Sequence, residues 1–249
     1  MSAVSLRNLS FCYLSQAEPC LSGVNLEMPL GQVHTLLGAG SSGKTTLLKL
    51  MVGLLMPSQG AVYFQAEDIH QLNPERLKAF RRSIGMSFQR GGLLDAFNVE
   101  DNLRFVLEES DQLRPHDIAE VVEKALSDVG LWESRKLNLC DLSGGMQKRL
   151  SLAKSLVLKP KLLLMDEPTA GLDPMSANRV MDLIEKFSAI SQRMTVIATT
   201  DIVVAKRFTQ HTHFLAQQNI IASGTLREIQ SSKLEPIRQY FATSGGRSD

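Results

Sequence analysis

The chain has little of what marks secreted, membrane-spanning or nucleic-acid-coating proteins. Cysteine is scarce: Cys12, Cys20 and Cys140 in 249 residues, at unrelated spacings, which is neither a disulfide framework nor a zinc-ligand pattern. A long apolar run is missing too. Leu47 to Met56 is broken by Lys49 and falls short of the ~18 residues that a spanning helix needs. Charge of one sign is not in excess: 27 Lys and Arg stand against 26 Asp and Glu, so no global field favours nucleic acid or an anionic membrane surface. The opening residues, Met1-Ser-Ala-Val-Ser-Leu-Arg7, lack the apolar core of a secretory signal. No internal repeat is visible. These absences predict a reduced, cytosolic protein that meets any membrane through a partner. The length suits one large α/β domain, or one with a subdomain inserted.

What is present is concentrated. Gly38-Ala39-Gly40-Ser41-Ser42-Gly43-Lys44-Thr45 matches Gly-x4-Gly-Lys-Ser/Thr, a pattern that arises by chance in roughly one chain in a hundred of this length. Its context fits: the apolar run Val33 to Leu37 predicts a buried strand leading in, and Thr45 to Met56 a helix leading out. Glycines allow backbone N–H groups to turn inward around phosphate oxygens, and a helix N-terminus adds a positive field. Lys44 is placed to reach the outer phosphates and the Thr45 hydroxyl to ligate Mg²⁺, with Thr46 next in the turn. The motif predicts a nucleoside triphosphate as ligand. A GTPase is excluded by the absence of any Asn-Lys-x-Asp motif.

Around this loop the pattern alternates. Strands are predicted at Ser5–Tyr13, Gly23–Glu27, Gly60–Phe64, Ser83–Phe88, Leu162–Met165 and Met194–Thr199, with a hairpin over His213–Ser223. Pro74–Arg82 predicts a short basic helix, whose Arg76, Lys78, Arg81 and Arg82 read as a solvated face. Residues 98–158 are mainly helical by periodicity: a helix capped by Asn98, a second from Pro115 to Val129 ended by Gly130, and a third carrying Met146, Leu150, Ala153 and Val157 on one face. A helical block inside alternating strands and helices implies an insertion in an α/β core. The Gly/Ser-rich end, Ala242–Asp249, reads as a flexible tail.

The third helix opens with Leu142-Ser143-Gly144-Gly145-Met146. Two glycines in a first turn cost roughly 1 kcal/mol each in helix propensity, so the backbone there is expected to be approached closely by an anion. A capping role for Ser143 is the alternative. The chain thus has two phosphate-type helix starts about a hundred residues apart. Here it resembles the ATP-binding-cassette (ABC) ATPases, whose signature is similar to Ser143-Gly144-Gly145, and whose Walker B strand is similar to Leu162–Met165 followed by Asp166-Glu167-Pro168. The resemblance spans residues 4–225. It implies an α/β P-loop NTPase fold with a RecA-like core, an N-terminal antiparallel β subdomain and an inserted helical signature subdomain at about 92–158, within an ATPase domain of residues 1–241.

It further implies ATP with Mg²⁺, and a head-to-tail dimer in which the signature of one copy closes over ATP held by the other. Asp166 would hold the metal and Glu167 would polarise the attacking water, with Gln89 as the glutamine near metal and water. Asp173, in Ala170-Gly-Leu-Asp173, matches the loop that communicates across the dimer, and Tyr13 the aromatic that stacks on adenine. One position departs. Where the family places a switch histidine, the chain reads Thr199-Thr200-Asp201, and none of His34, His70, His116, His211 and His213 lies there. Thr200 is neutral and short, so slowed hydrolysis is expected; a nucleotide-gated subunit with little turnover is the alternative. Arg90–Asn102 after Gln89, Met146 in place of the usual glutamine, and Pro236–Phe241 resemble the ATPases of Mce-associated (Mla-type) lipid transporters. That implies a separate permease and an Mce-type lipid-binding protein at the cytoplasmic side of a bacterial inner membrane, and no nucleic-acid partner. Phe88, Leu93, Leu94 and Phe97 would line the groove for a permease helix, or pack between subdomains, and Arg76, Lys78, Arg81 and Arg82 would face lipid headgroups or the permease, or remain a solvated face.

Overall fold

The computed structural model describes residues 2–15, 17–88, 92–110, 113–190, 193–208 and 210–244. Two sheets organise it. In the first, β1 (Ser2–Phe11) lies between β2 (Leu21–Pro29) and β4 (Gln59–Phe64), and β4 takes on the short β5 (Glu67–Asp68), all antiparallel. Along β2, Leu21, Val24, Leu26 and Met28 are buried while Ser22, Asn25 and Glu27 face out, the alternation of a sheet with one wet face. The second sheet runs β10 (Asn219–Gly224), β9 (His211–Ala216), β3 (Val33–Leu37), β8 (Met194–Thr199), β7 (Leu162–Asp166), β6 (Ile84–Ser87). From β9 to β6 neighbouring strands are parallel, and β10 returns antiparallel. Every residue of β7 and β8 is buried, as expected of central strands covered on both faces.

Helix α1 (Lys44–Met51) lies between the sheets, and its Leu47, Leu48, Leu50 and Met51 join Leu6, Val24, Leu164 and Val196 in one core. It is shorter than the expected Thr45–Met56. Gly53, at φ 67°, turns the chain, and the Gly53 and Leu54 amides close on the carbonyls of Leu50 and Lys49, a left-handed helix end that glycine allows. Helix α2 (Pro74–Arg82) is capped by the Asn73 side chain. Most of its basic residues are committed within the chain: Arg76 pairs with Glu67, Arg81 donates to the carbonyls of Val52 and Gly53, and Arg82 to that of Glu109.

The helical block comprises α3 (Val99–Ser110), α4 (Pro115–Asp128) and α5 (Gly144–Leu156) around a core of its own, with Leu103, Leu107, Val122, Leu126 and Leu150 buried. Its seam to the parallel sheet is tight. The Ser87 and Ser151 hydroxyls are 2.8 Å apart, and a Cβ on Gly85 would lie 2.1 Å from the Ser155 carbonyl oxygen. Only glycine lets α5 approach β6 this closely.

Among the described residues, four helices follow: α6 (Pro174–Ser188), α7 (Ile202–Arg207), α8 (Leu226–Gln230) and α9 (Glu235–Ser244). At its start, the flexible tail expected from Ala242 is instead helical: residues 242–244 continue α9, where the Thr243 hydroxyl donates to the carbonyls of Gln239 and Tyr240. Residues 245–249 lie outside the described residues. Beneath the sheet, His34 on β3 and His213 on β9 are buried and share a hydrogen bond of 3.2 Å. His34 Nε2 meets the Pro29 carbonyl and His213 Nδ1 meets the Ser223 hydroxyl. The Pro29 carbonyl can only accept, so His34 donates from Nε2 and accepts at Nδ1 from His213, and both rings are neutral.

Candidate functional site

Three neighbouring parallel strands, β3, β8 and β7, end on the same edge of the sheet, the position where open α/β sheets place ligands. The loop after β3 carries Gly38–Gly43, β7 ends in Asp166 with Glu167 next, and β8 ends in Thr199 with Thr200 next. A cleft of about 1060 Å³ lies over them, lined by Gly40 to Thr46, Glu167, Thr200 and Tyr13.

The loop is shaped by backbone geometry. Ser41 has φ 59° and Gly43 has φ 103°, left-handed conformations that turn successive N–H groups to one side, the arrangement of an anion nest. Gly43 caps α1 without a side-chain hydrogen bond, so the first amides of the helix remain free to meet a ligand. Gly40 has open space where a Cβ would be. Gly38 has another reason to be glycine: a Cβ there would lie 2.3 Å from the Leu215 carbonyl oxygen on β9. Ala39 lines an adjoining cavity of about 940 Å³ together with Gly40, Glu167, Thr200 and Tyr240.

Lys44 is buried, and its ammonium donates to the Gly38 and Ala39 carbonyls at 2.9 and 2.8 Å. Burial lowers its pKa, opposed by the nearby carboxylates of Glu167 and Asp166. Asp166 shows the inverse: burial raises its pKa, opposed by the Thr45 hydroxyl bond and by Lys44 and Lys148. The Thr45 hydroxyl donates to Asp166 Oδ2 at 2.8 Å, while Asp166 Oδ1 is buried without a partner among the described residues. An orphaned carboxylate oxygen beside a hydroxyl is the hard-oxygen donor set of Mg²⁺, so these residues fit the metal. Ser42 Oγ is likewise buried and unpartnered, a polar group that a phosphate oxygen can satisfy.

Glu167 follows the strand with φ 47°, a conformation rare outside glycine and frequent at functional sites. Its amide donates to Ala198, its carbonyl accepts from Lys148 on α5, and its carboxylate accepts from the Thr199 hydroxyl at 3.1 Å. Thr199 and Lys148 escaped the sequence reading, although a threonine at the end of a strand beside the Thr200 position was a visible signal. Thr200 is exposed at the rim, and its backbone carbonyl accepts from the Tyr240 hydroxyl. Tyr13 sits edge-on to Phe11 with its hydroxyl 2.9 Å from that of Thr46. Gln89 lies outside the described residues.

The signature residues do not join this cleft. Ser143 and Gly144 are exposed at the start of α5, and the Ser143 hydroxyl accepts from the Met146 amide, so the capping role is present. The glycine pair divides its work: Gly144 faces open space, whereas a Cβ on Gly145 would lie 3.0 Å from Ser176 Oγ. Asp173, also exposed, caps α6 through the amides of Met175 and Ser176.

A phosphate-binding loop, an acidic strand end and a capped signature helix on a two-sheet frame have parallels. Residues 21–170 match the family described as ABC transporter. The chain belongs to the ATP-binding subunits of ABC transporters. The cassette is 33% identical to the intermembrane phospholipid transport ATP-binding protein MlaF of Haemophilus influenzae, over 91% of this chain and 84% of that one. It is also 33% identical to the probable ribonucleotide transport protein mkl of Mycobacterium leprae, over 88% of this chain and 62% of that one. Among solved structures, the dimeric cassette MJ0796 in a post-hydrolysis state with ADP and Pi superposes with a TM-score of 0.83 at 26% identity, covering 90% of this chain and 99% of that one. The cassette is an ATPase on a P-loop fold.

Proposed function

We propose that this cassette powers phospholipid transport between bacterial membranes, as the ATP-hydrolysing partner of a separate permease and an Mce-type lipid-binding protein. The observation that carries the reading is its likeness to MlaF over most of both chains. Among the described residues no helix is long and apolar enough to cross a membrane, which favours a peripheral position on the cytoplasmic face of the inner membrane, held by the permease. Leu54, Met56, Leu94 and Phe105 are large apolar side chains left exposed, suited to such a contact; Leu93 packs into the helical core.

In the reaction, Lys44 faces the outer phosphates, and Thr45 with Asp166 would hold Mg²⁺, which would supply charge screening for the phosphates. Glu167 orients and polarises the attacking water. Tyr13 stacks on adenine. Exposed Ser143 and Gly144, away from the chain's own cleft, favour closure over ATP held by a second copy, with Asp173 at the same face. A second reading, an ATP-gated subunit with little turnover, is favoured by Thr200, which presents a neutral group at the switch position.

The test is purification of the full chain, tagged, from detergent-solubilised bacterial membranes. The expected result is a complex holding a multi-span permease, an Mce-type protein and bound phospholipid. Recovery with a permease but without phospholipid or an Mce protein would overturn the lipid assignment.

A further inference from the structure

Helix α9 reaches the reaction centre through the Tyr240 hydroxyl. Tyr240 is buried, with its ring packed edge-on to Phe214 at 5.1 Å and Phe241 at 5.4 Å, in a cluster with Leu226, Ile229 and Ile237. A phenylalanine would fill that space, and a buried hydroxyl without a partner costs about 1–3 kcal/mol. The hydroxyl has a partner: it donates to the backbone carbonyl of Thr200. Burial, then the negative charges of Glu167 and Asp201, push its pKa upward, so it remains a donor throughout the working pH range.

The segment it holds is tied at its other end to the carboxylate proposed to act on water. The Thr199 hydroxyl accepts from the Asp201 amide at 2.9 Å and donates to Glu167 Oε2 at 3.1 Å. Asp201 in turn caps α7 through the Val203 amide. Tyr240, Thr200 and Glu167 share the walls of one cavity with Ala39 and Gly40 of the phosphate loop. A continuous chain of hydrogen bonds and backbone thus runs from α9 through residues 200 and 199 to Glu167.

We propose that Tyr240 is a positioning residue for ATP hydrolysis: its hydroxyl fixes the Thr199–Asp201 segment, and that segment aims Glu167. The idea rests on Glu167 as the water-polarising group, which Glu167→Gln tests separately; wild-type turnover in that variant would remove the catalytic assignment whatever Tyr240 does. Tyr240→Phe keeps the ring and deletes only the hydroxyl. In single-turnover hydrolysis by the full chain with Mg-ATP, it should slow the chemical step about threefold to tenfold, the range of one neutral hydrogen bond, while ATP affinity stays within about twofold.

A double-mutant cycle separates positioning from packing. In a Thr199→Val background, where the link to Glu167 is already cut, adding Tyr240→Phe should change the rate less than about twofold. In a Thr199→Ser background, which keeps a hydroxyl, it should retain its full effect. Phe241→Leu, which alters packing alone, should leave the rate near wild type. Unchanged hydrolysis in Tyr240→Phe, or independent losses that multiply in the Thr199→Val background, would overturn the proposal.

Discussion

Helices α1 and α5 both begin at glycine-rich turns, yet their first turns are finished differently. At α1 the cap residue Gly43 offers no side chain, Lys44 is buried, and Asp166 and Ser42 hold polar atoms without partners among the described residues. At α5 the Ser143 hydroxyl already satisfies the Met146 amide, and Ser143 and Gly144 stand in solvent. One start is an open valence inside a cleft; the other is locally complete and faces outward. A site whose polar groups are left unsatisfied within the fold is shaped around a ligand held by the same chain. A self-satisfied, exposed start tolerates solvent until a ligand on another molecule reaches it.

The largest effect should come from the first helix start. Lys44→Ala deletes the buried cation at the cleft, and ATP binding by the full chain should fall about a hundredfold or more. Unchanged affinity by calorimetry would break the assignment of the cleft. The matching change at the second start should spare binding and abolish pairing. In a Glu167→Gln background, which slows hydrolysis, ATP should drive dimerisation, and adding Ser143→Arg should eliminate it while each monomer binds ATP within about twofold of the parent. Sedimentation in the presence of ATP decides this, and a dimer of equal strength in both variants would dissolve the contrast.

A third expectation concerns the frame beneath the first site. Burial holds the pKa of His34 down to about 4, with the Pro29 carbonyl opposing and His211 assisting. Burial and the neighbouring His34 and His211 hold His213 down to about 3. The unfolded chain takes up these protons near pH 6.5 while the folded one refuses them, so stability is full above pH 6.5 and falls as pH drops toward 4. Between pH 7.5 and 5.5, before carboxylates titrate, the loss should be on the order of 2 kcal/mol. A denaturant midpoint independent of pH over that range would contradict it.

Smaller effects sharpen the picture. Thr200→Ala should change hydrolysis less than about threefold, because the side chain is exposed and the segment is held through its backbone. Thr200→His should raise it, by up to about tenfold; a large loss in the alanine variant with no gain in the histidine one would show threonine to be a working group. Gly144→Ala fills open space at a helix start and should stabilise the fold by up to about 1 kcal/mol while slowing ATP-driven closure. A destabilised Gly144→Ala would mean that this glycine serves the fold.

The phosphate loop, the strand ending in Asp166 and the signature turn were legible because each pairs an unusual composition with a change of period. Val33–Leu37 and Met194–Thr199 were placed to the residue by apolar and β-branched side chains, with His34 the one exception. Other features had signals that were passed over: Asp173-Pro174 is a cap followed by a first-turn proline, and Thr225 with Glu228 forms a capping box. What no local pattern carries is the reach between distant segments. At Gly38 the phosphate-loop pattern gave no hint of a second demand for glycine, the carbonyl on β9 that a Cβ would strike. The links from Thr199 to Glu167 and from Tyr240 to Thr200 span 32 and 40 residues, and depend on which strands and helices become neighbours.

The close seating of α5 on β6 has a mechanical side. Its contact point, where the Ser155 carbonyl fills the space above Gly85, lies near the C-terminal end of the helix, whereas Ser143 stands at the other end. At 1.5 Å per residue the arm between them is roughly 18 Å long. A tilt of about 10° about that pivot would swing the signature turn by roughly 3 Å, about the length of a hydrogen bond. A rotation of that size would be amplified, at the tip of this lever, into a displacement as long as a hydrogen bond.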